Sequence, residues 1–357
     1  MSRFELGMSL DYCSNWCVAD AVREFFQNAK DEETVNSDNK MYFNYENEVL
    51  TIGNKLSKLD TKTLLMGVSS KRNNSDTIGN FGEGYKVATV VLMRNNVTVK
   101  IYNNEAKEVW TSKIVDSRRY GTKIVVFDIE KKLFKKDYDL VIELHGITSE
   151  MYETIKERIL DLHEDLGERM YSADGMLLLD KRYSGNIYVG GLFVCHNNYL
   201  KWGYDFVPSM IKLDRDRGLV DTFDLKFAIS NLVSNIADAD FIAKNFDSPD
   251  LQFISTYLKS HDNKYKRVGE IIYNDFIDEY GDDAFPCSSM DEFNEYHKQG
   301  YNTVLVTDDK KSIIKPYVKV SEDNVGIDER FRLWKSKARI YLSNELLEEI
   351  TKLWEEK

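Results

Sequence analysis

Between Trp16 and Lys30 the apolar residues Val18, Ala21, Val22, Phe25 and Ala29 recur at the spacing of one helix face. The pattern predicts an amphipathic helix there. Glu24, Asn28 and Asp31 fall at i, i+4 and i+7, so a carboxylate, an amide and a second carboxylate share another stripe of that helix. Two short strands follow, Met41–Tyr45 and Val49–Ile52, joined by the turn-like Glu46-Asn47-Glu48. A polar, glycine-bearing loop from Ser69 to Gly84 opens into a helix over Tyr85–Leu92. Strands are expected at Val97–Tyr102, Glu108–Ile114 and Thr122–Phe127, and a helix at Glu150–Leu166 closes a first domain, 1–166.

A second domain, 167–248, carries the β-branched and aromatic run Gly185–Cys195 and a short extended piece at Ile211–Leu213. Its helix, Asp224–Ala237, has Phe227, Ile229, Leu232, Val233 and Ile236 as its apolar set. In the remainder, 249–357, Leu251–Ser260, Tyr265–Tyr280, Met290–Gln299 and Asn344–Trp354 read as helices and Tyr301–Val306 as a strand. This last region is helical or mixed α/β, and its pattern assigns it no role. Its aromatics Tyr273, Phe276, Tyr280, Phe285 and Trp334 read as core first and as protein interface second.

Composition narrows the classes. The chain has 357 residues, a net charge of −12 and a pI of about 5.1. A nucleic-acid backbone is bound by basic surface, so nucleic acid is not indicated as a partner. Lys131-Lys132 and Lys135-Lys136 form a basic run, read as a solvated loop. No apolar run is long enough to span a bilayer and no leader is evident, so a cytoplasmic protein without a membrane partner is expected. Cys13, Cys17, Cys195 and Cys287 include no second Cys/His pair at zinc spacing.

Glu24 has the chemistry of a general base for a water aligned on a γ-phosphate. Asn28, one turn on, supplies the uncharged oxygen that suits Mg²⁺, and Asp31 would orient that face or act through water. A solvated polar stripe gives the same pattern. Ile78-Gly79-Asn80-Phe81-Gly82-Glu83-Gly84 changes the balance, because its glycines let backbone N–H groups converge on phosphate oxygens beside a helix N-terminus. The loop lacks the Gly-Lys-Ser/Thr ending of a P-loop.

The chain resembles the GHKL ATPases, whose nucleotide domain is the Bergerat fold. Glu24, Asn28 and Asp31 match the family's Glu-x-x-x-Asn-x-x-Asp motif, and Gly79, Gly82 and Gly84 match its Gly-x-x-Gly-x-Gly. Gly121-Thr122 matches its Gly-Thr at the start of a late strand. The motifs span residues from about 10 to 130 in the family's order. The Asp-x-Gly-x-Gly segment is altered: Asn54 takes the Asp position, and Leu56 and Lys58 replace the glycines. An Asn carbonyl oxygen still accepts from an adenine amino group, although a flipped amide would donate. The resemblance implies an α/β (α+β sandwich) fold, with a Bergerat domain followed by a ribosomal S5 domain-2-like transducer, as in heat-shock-90-type chaperones, gyrase and MutL. It implies ATP and Mg²⁺ as ligands, held by Asn28 (also the Mg²⁺ ligand), Asp31, Asn54, Lys71, Gly79, Phe81, Gly82, Glu83, Gly84 and Thr122. Lys86, one turn into the helix, is a weaker phosphate candidate than Lys71. Glu24 is the implied base and Arg217, with Arg215 behind it, the implied sensor of γ-phosphate.

The expectation is therefore a slow Mg²⁺-dependent ATPase acting as a conformational switch, with lid closure over Ser69–Gly84 and, by analogy, an ATP-gated homodimer. The alternative is a nucleotide-binding scaffold or inhibitor with weak turnover that acts through an unidentified protein partner. A histidine kinase would need a phosphoacceptor helix pair, and a topoisomerase subunit a cleavage domain; neither is apparent.

Overall fold

The computed structural model describes residues 2–61, 84–211, 213, 222–259, 261–318, 331, 334, 335, 338, 339 and 342–355. It forms two compact units, 1–228 and 229–357, each described here by itself.

The first unit begins with β1 (Ser2–Ser9) and α1 (Val18–Val35). The hairpin β2 (Met41–Glu46) and β3 (Val49–Asn54) turns through Asn47 and Glu48, both at positive φ. That geometry matches the right-handed twist of a two-residue hairpin loop. Next come α2 (Gly84–Arg94), β4 (Thr98–Asn103), β5 (Glu108–Ser117), β6 (Thr122–Lys131), β7 (Leu140–His145) and α3 (Ser149–Arg158). The strands make one antiparallel seven-stranded sheet in the order β1-β6-β5-β4-β7-β3-β2. Its core holds Val22, Phe25 and Phe26 of α1, Val87, Val90 and Val91 of α2, and Leu50, Ile52, Val99, Ile101, Trp110, Phe127, Ile142 and Leu144 of the sheet. Burying Phe25 and Phe26 stabilises the helix-on-sheet layer by about 1.5–3 kcal/mol each.

A smaller sheet follows, from β8 (Arg169–Ser172), β9 (Gly175–Leu178), β10 (Asn186–Val189), β11 (Leu192–His196) and β12 (Gly203–Phe206). Its order is β11-β10-β12-β9-β8, with β10–β12 parallel and the other pairs antiparallel. The large core continues into it through Ile155, Ile159, Leu162 and Leu192. The first unit thus contains both the segment read as the nucleotide domain and the strands read as the start of the second.

The unit boundary falls within α4 (Thr222–Ile236). The second unit adds α5 (Ala239–Lys244), α6 (Ile254–Leu258), α7 (Asp262–Tyr280), α8 (Met290–Lys298) and α9 (Asp308–Ile314). It also has a parallel pair, β13 (Ala284–Cys287) with β14 (Asn302–Leu305), and a terminal helix, Asn344–Glu355. Gly269 lets α7 and α9 touch, since a Cβ there would lie 2.8 Å from Ile313 O. Val268, Ile272, Phe276, Ile313 and Ile314 are buried, while Tyr280 and Trp334 are exposed.

The molecule is thus mixed α/β, with antiparallel sheets and several helices. Three differences from the sequence pattern have physical causes. The helix expected to run to Leu166 stops at Arg158, because Ile159 turns extended and bridges Leu192 while Leu160 N donates to Gly191 O. β1 is an edge strand whose apolar alternation is limited to Phe4, Leu6 and Met8, a short signal beside Gly7. β8, β9 and β12 are four residues each, too short for periodicity to register.

Candidate functional site

The carboxylates of the α1 polar stripe are buried and Asn28 between them is half-buried, which a solvated face would not be. Glu24, Gln27 and Asp31 are each 1% exposed. Burying carboxylates is costly unless the surroundings compensate, so this stripe is held by design of the fold. Compensation is visible at Glu24, whose Oε1 accepts from Arg23 Nη2 at 3.3 Å. Arg23, itself buried, also donates Nη1 to Phe193 O at 2.6 Å. The guanidinium therefore ties Glu24 to β11 of the smaller sheet.

Asn28 donates Nδ2 to Glu24 O at 2.8 Å, which sets its amide with Oδ1 as the acceptor. Gly84, the first residue of α2, closes on both: a Cβ added there would lie 2.6 Å from Glu24 Oε2 and 3.6 Å from Asn28 Nδ2. A side chain at this position would require the Glu24 carboxylate to shift. Tyr85, next in α2, packs edge-on to Phe25, with ring centroids 5.3 Å apart. Burial pushes its phenol well up, and the charges of Glu32 and Asp31 add to the shift. The start of α2 thus faces α1 from Glu24 to Glu32.

Asn54, at the end of β3, reaches the same stretch of α1. Its Nδ2 donates to Ala29 O at 2.9 Å and to Asn39 O at 3.3 Å. Two carbonyl acceptors fix the amide, because the flipped orientation would set oxygen against oxygen. Oδ1 is left as the acceptor end. The segment where Leu56 and Lys58 stand in place of glycines is braced instead by Asn39, which accepts Leu56 N at 2.7 Å and donates to Ser57 Oγ at 2.7 Å. Ser57 Oγ in turn donates to Glu32 Oε2 at 3.3 Å.

The entry to α1 is fixed from α2. Arg94 donates Nη1 to Leu10 O and Tyr12 O, and Nη2 to Cys13 O and Trp16 O, at 2.9–3.1 Å. Cys17 N then donates to Asp20 Oδ2 at 3.0 Å, satisfying an amide at the helix start. At the other end Lys30 Nζ donates to Asp161 Oδ2 at 2.5 Å and Gly190 O at 2.7 Å, a second tie to the smaller sheet.

Glu24, Asn28, Asn54 and Gly84 thus meet along one stretch of α1, with Asp31 buried in the same helix. Thr122 does not join them. It is exposed at the start of β6, paired with Ser117 in the β5–β6 hairpin. β5, β4 and β7 lie between β6 and β3. The end of β6 that lines up with Asn54, through Leu140, Asn103 and Glu108, is Lys131. The strand lying beside Asn54 is β7. Lys86 is buried in α2. Lys71, Gly79, Phe81, Gly82, Glu83, Arg215 and Arg217 lie outside the described residues. Sequence reading missed Arg23 and Asn39. Arg23 precedes Glu24 and carries no periodic signal; Asn39 sits in the turn cluster Asn36-Ser37-Asp38-Asn39, which marks a loop but not what it braces.

Among the described residues no group of three or more His, Cys, Asp or Glu side chains suits a metal ion. An Mg²⁺ held by one amide oxygen, phosphate oxygens and waters needs none. The four cysteines are free thiols. No described helix is long and apolar enough to cross a membrane. Lys136 of the basic run is engaged by Glu143 at 2.5 Å and lies over the Tyr102 ring.

No protein-family model matches the chain. A protein of Mycoplasma pneumoniae, of uncharacterised role, is 25% identical over 208 residues, covering 57% of this chain and 83% of that one.

Proposed function

We propose that the first unit is a GHKL-type nucleotide site that binds ATP with Mg²⁺ and hydrolyses it slowly. The observation that carries this reading is the meeting of a buried carboxylate, an oriented amide and a glycine whose Cβ would displace that carboxylate, at Glu24, Asn28 and Gly84. An antiparallel sheet covered by the two helices that carry these residues supports it. In this reading Asn28 Oδ1 holds Mg²⁺, which supplies charge neutralisation on the phosphates when bound. Asn54 Oδ1 accepts from the adenine amino group, and the α2 N-terminus at Gly84 faces phosphate. Glu24 takes a proton from the water that attacks the γ-phosphorus, giving ADP and inorganic phosphate. The smaller sheet serves as the transducer, fed by Arg23 and Lys30, with Arg217 as the γ-phosphate sensor. An ATP-gated homodimer and an unidentified protein partner belong to the same proposal.

One observation favours a second reading, a nucleotide-binding scaffold with little turnover: Arg23 occupies Glu24 Oε1. Titration calorimetry with ATP and then GTP, with Mg²⁺, tests both readings. The first predicts ATP binding that Asn28→Ala weakens at least tenfold, weaker GTP binding, and phosphate release abolished by Glu24→Ala. Binding without phosphate release selects the scaffold. If neither nucleotide binds, both readings fail.

A further inference from the structure

A second cavity, of about 530 Å³, opens in the first unit between the end of α3 and the β10–β11 hairpin. That volume lies in the range of small-molecule sites, about 300–1,000 Å³. Two arginines line it, against one carboxylate, Glu157, with His163 and His196 as polar groups of the lining. In a chain of net charge −12 this is a local inversion of sign.

The cations are mounted on rings. The Arg158 guanidinium lies 4.2 Å from the Phe193 ring centroid, and Arg182 lies 4.9 Å from that of Tyr183. Arg182 also donates to Asp165 O at 2.6 Å and pairs with Asp180 at 3.5 Å. Arg158 pairs with no carboxylate among the described residues and stacks on the Phe193 ring. A guanidinium stacked on one face keeps its planar donor fork for a carboxylate or phosphate.

The walls suit a flat ligand. Phe193, Tyr188, Tyr183 and His163 form an edge-to-face series, with ring centroids 5.7, 6.3 and 5.7 Å apart. His163 is kept neutral, because burial lowers its pKa. Its Nε2 lies 2.8 Å from Lys156 O, and the Tyr183 hydroxyl lies 3.3 Å from Nδ1. His196 is steadied at the mouth by Asn186 and Asn198, each at 2.8 Å. The cavity's polar groups are thus preset rather than mobile.

We infer that this cavity is a binding site for a small planar anion, a flat ring carrying a phosphate or carboxylate that Arg158 grips through its fork. The inference is independent of the nucleotide reading. Ligand-observed nuclear magnetic resonance titration of the full chain tests it. The probes are phenyl phosphate and benzoate, with inorganic phosphate and acetate as ringless counterparts. At least one aromatic anion is expected to bind saturably, at least tenfold tighter than its ringless counterpart. Arg158→Gln should weaken that binding at least tenfold and the exposed Arg182→Gln about threefold, while Asn28→Ala changes it less than twofold. Arg182→Gln decides the matter if Arg158→Gln does not fold. The inference is overturned if neither aromatic anion is preferred, if the arginine variants bind as the parent does, or if Asn28→Ala abolishes binding and so locates the probe at the α1–α2 site.

Discussion

A Cβ at Gly84 would press on Glu24 Oε2 at 2.6 Å, so the two residues test each other. In an unconstrained helix Gly→Ala stabilises by about 1 kcal/mol. Here Gly84→Ala should destabilise by about 1–3 kcal/mol, the usual penalty for overpacking, and weaken nucleotide binding at least tenfold. Urea unfolding beside ATP calorimetry checks both; a stabilised variant with intact binding would mean that α2 does not close on α1. Asp205 offers a test by pH. Burial in β12 pushes its pKa up to about 6, against a hydrogen bond from Gly191 N at 2.8 Å and the charge of Lys30, while Asp161 adds to the rise. The fold therefore favours the protonated acid. Its contribution is complete below the ordinary pKa near 4 and is lost as pH rises through about 6. Asp205→Asn keeps an acceptor for Gly191 N and should stabilise the protein by about 1–2 kcal/mol at pH 8. The gain should vanish below about pH 4. Urea midpoints from pH 4 to pH 8 measure this; a gain that is constant with pH would remove Asp205 as the titrating group.

Among the elements, α1 is the one whose placement the site depends on, and Arg94 at the end of α2 sets its entry. Four carbonyls accept from one planar fork, an arrangement that a lysine's single ammonium cannot span. Arg94→Ala should cost about 2–3 kcal/mol and Arg94→Lys at least half of that, because the carbonyls are left short of donors. Hydrogen exchange should rise selectively at the first turn of α1; unchanged protection there would show that the loop holds without the clamp. Both core helices of the first layer were legible, since a 3.6-residue apolar stripe survives whatever it packs against. α3 was legible only at its start, where Thr148 caps it by accepting Met151 N at 3.2 Å. Its end is set by pairing with Leu192, 33 positions away from Ile159, which no local pattern encodes.

For the whole molecule, the test of a ligand site is its effect on unfolding. A ligand that binds only the folded state stabilises by about 2.7 kcal/mol at one hundred times its dissociation constant. ATP with Mg²⁺ at that excess should raise the midpoint of the first unit's unfolding accordingly, and Asn28→Ala should reduce the shift by about half or more. Differential scanning calorimetry reads this directly, and an unfolding curve indifferent to ATP would count against the nucleotide site.

By itself the sequence determined the helix that carries Glu24 and Asn28, the helix that follows Gly84, and the presence of the β2–β3 hairpin, because these rest on local periodicity and turn chemistry; that Glu46 pairs with Val49 across a two-residue loop came from the structure. It also marked Asn54 as a site residue, from its place in an altered motif. The tertiary structure decided which way the Asn54 amide points, since Ala29 and Asn39 supply the acceptors. It decided that three strands separate Thr122 from β3, because strand order depends on long-range pairing and not on order along the chain. It alone joined Arg23 to Phe193 and gathered Arg158, Arg182, His163 and His196 around one cavity, for a side chain's neighbours are set by how layers pack.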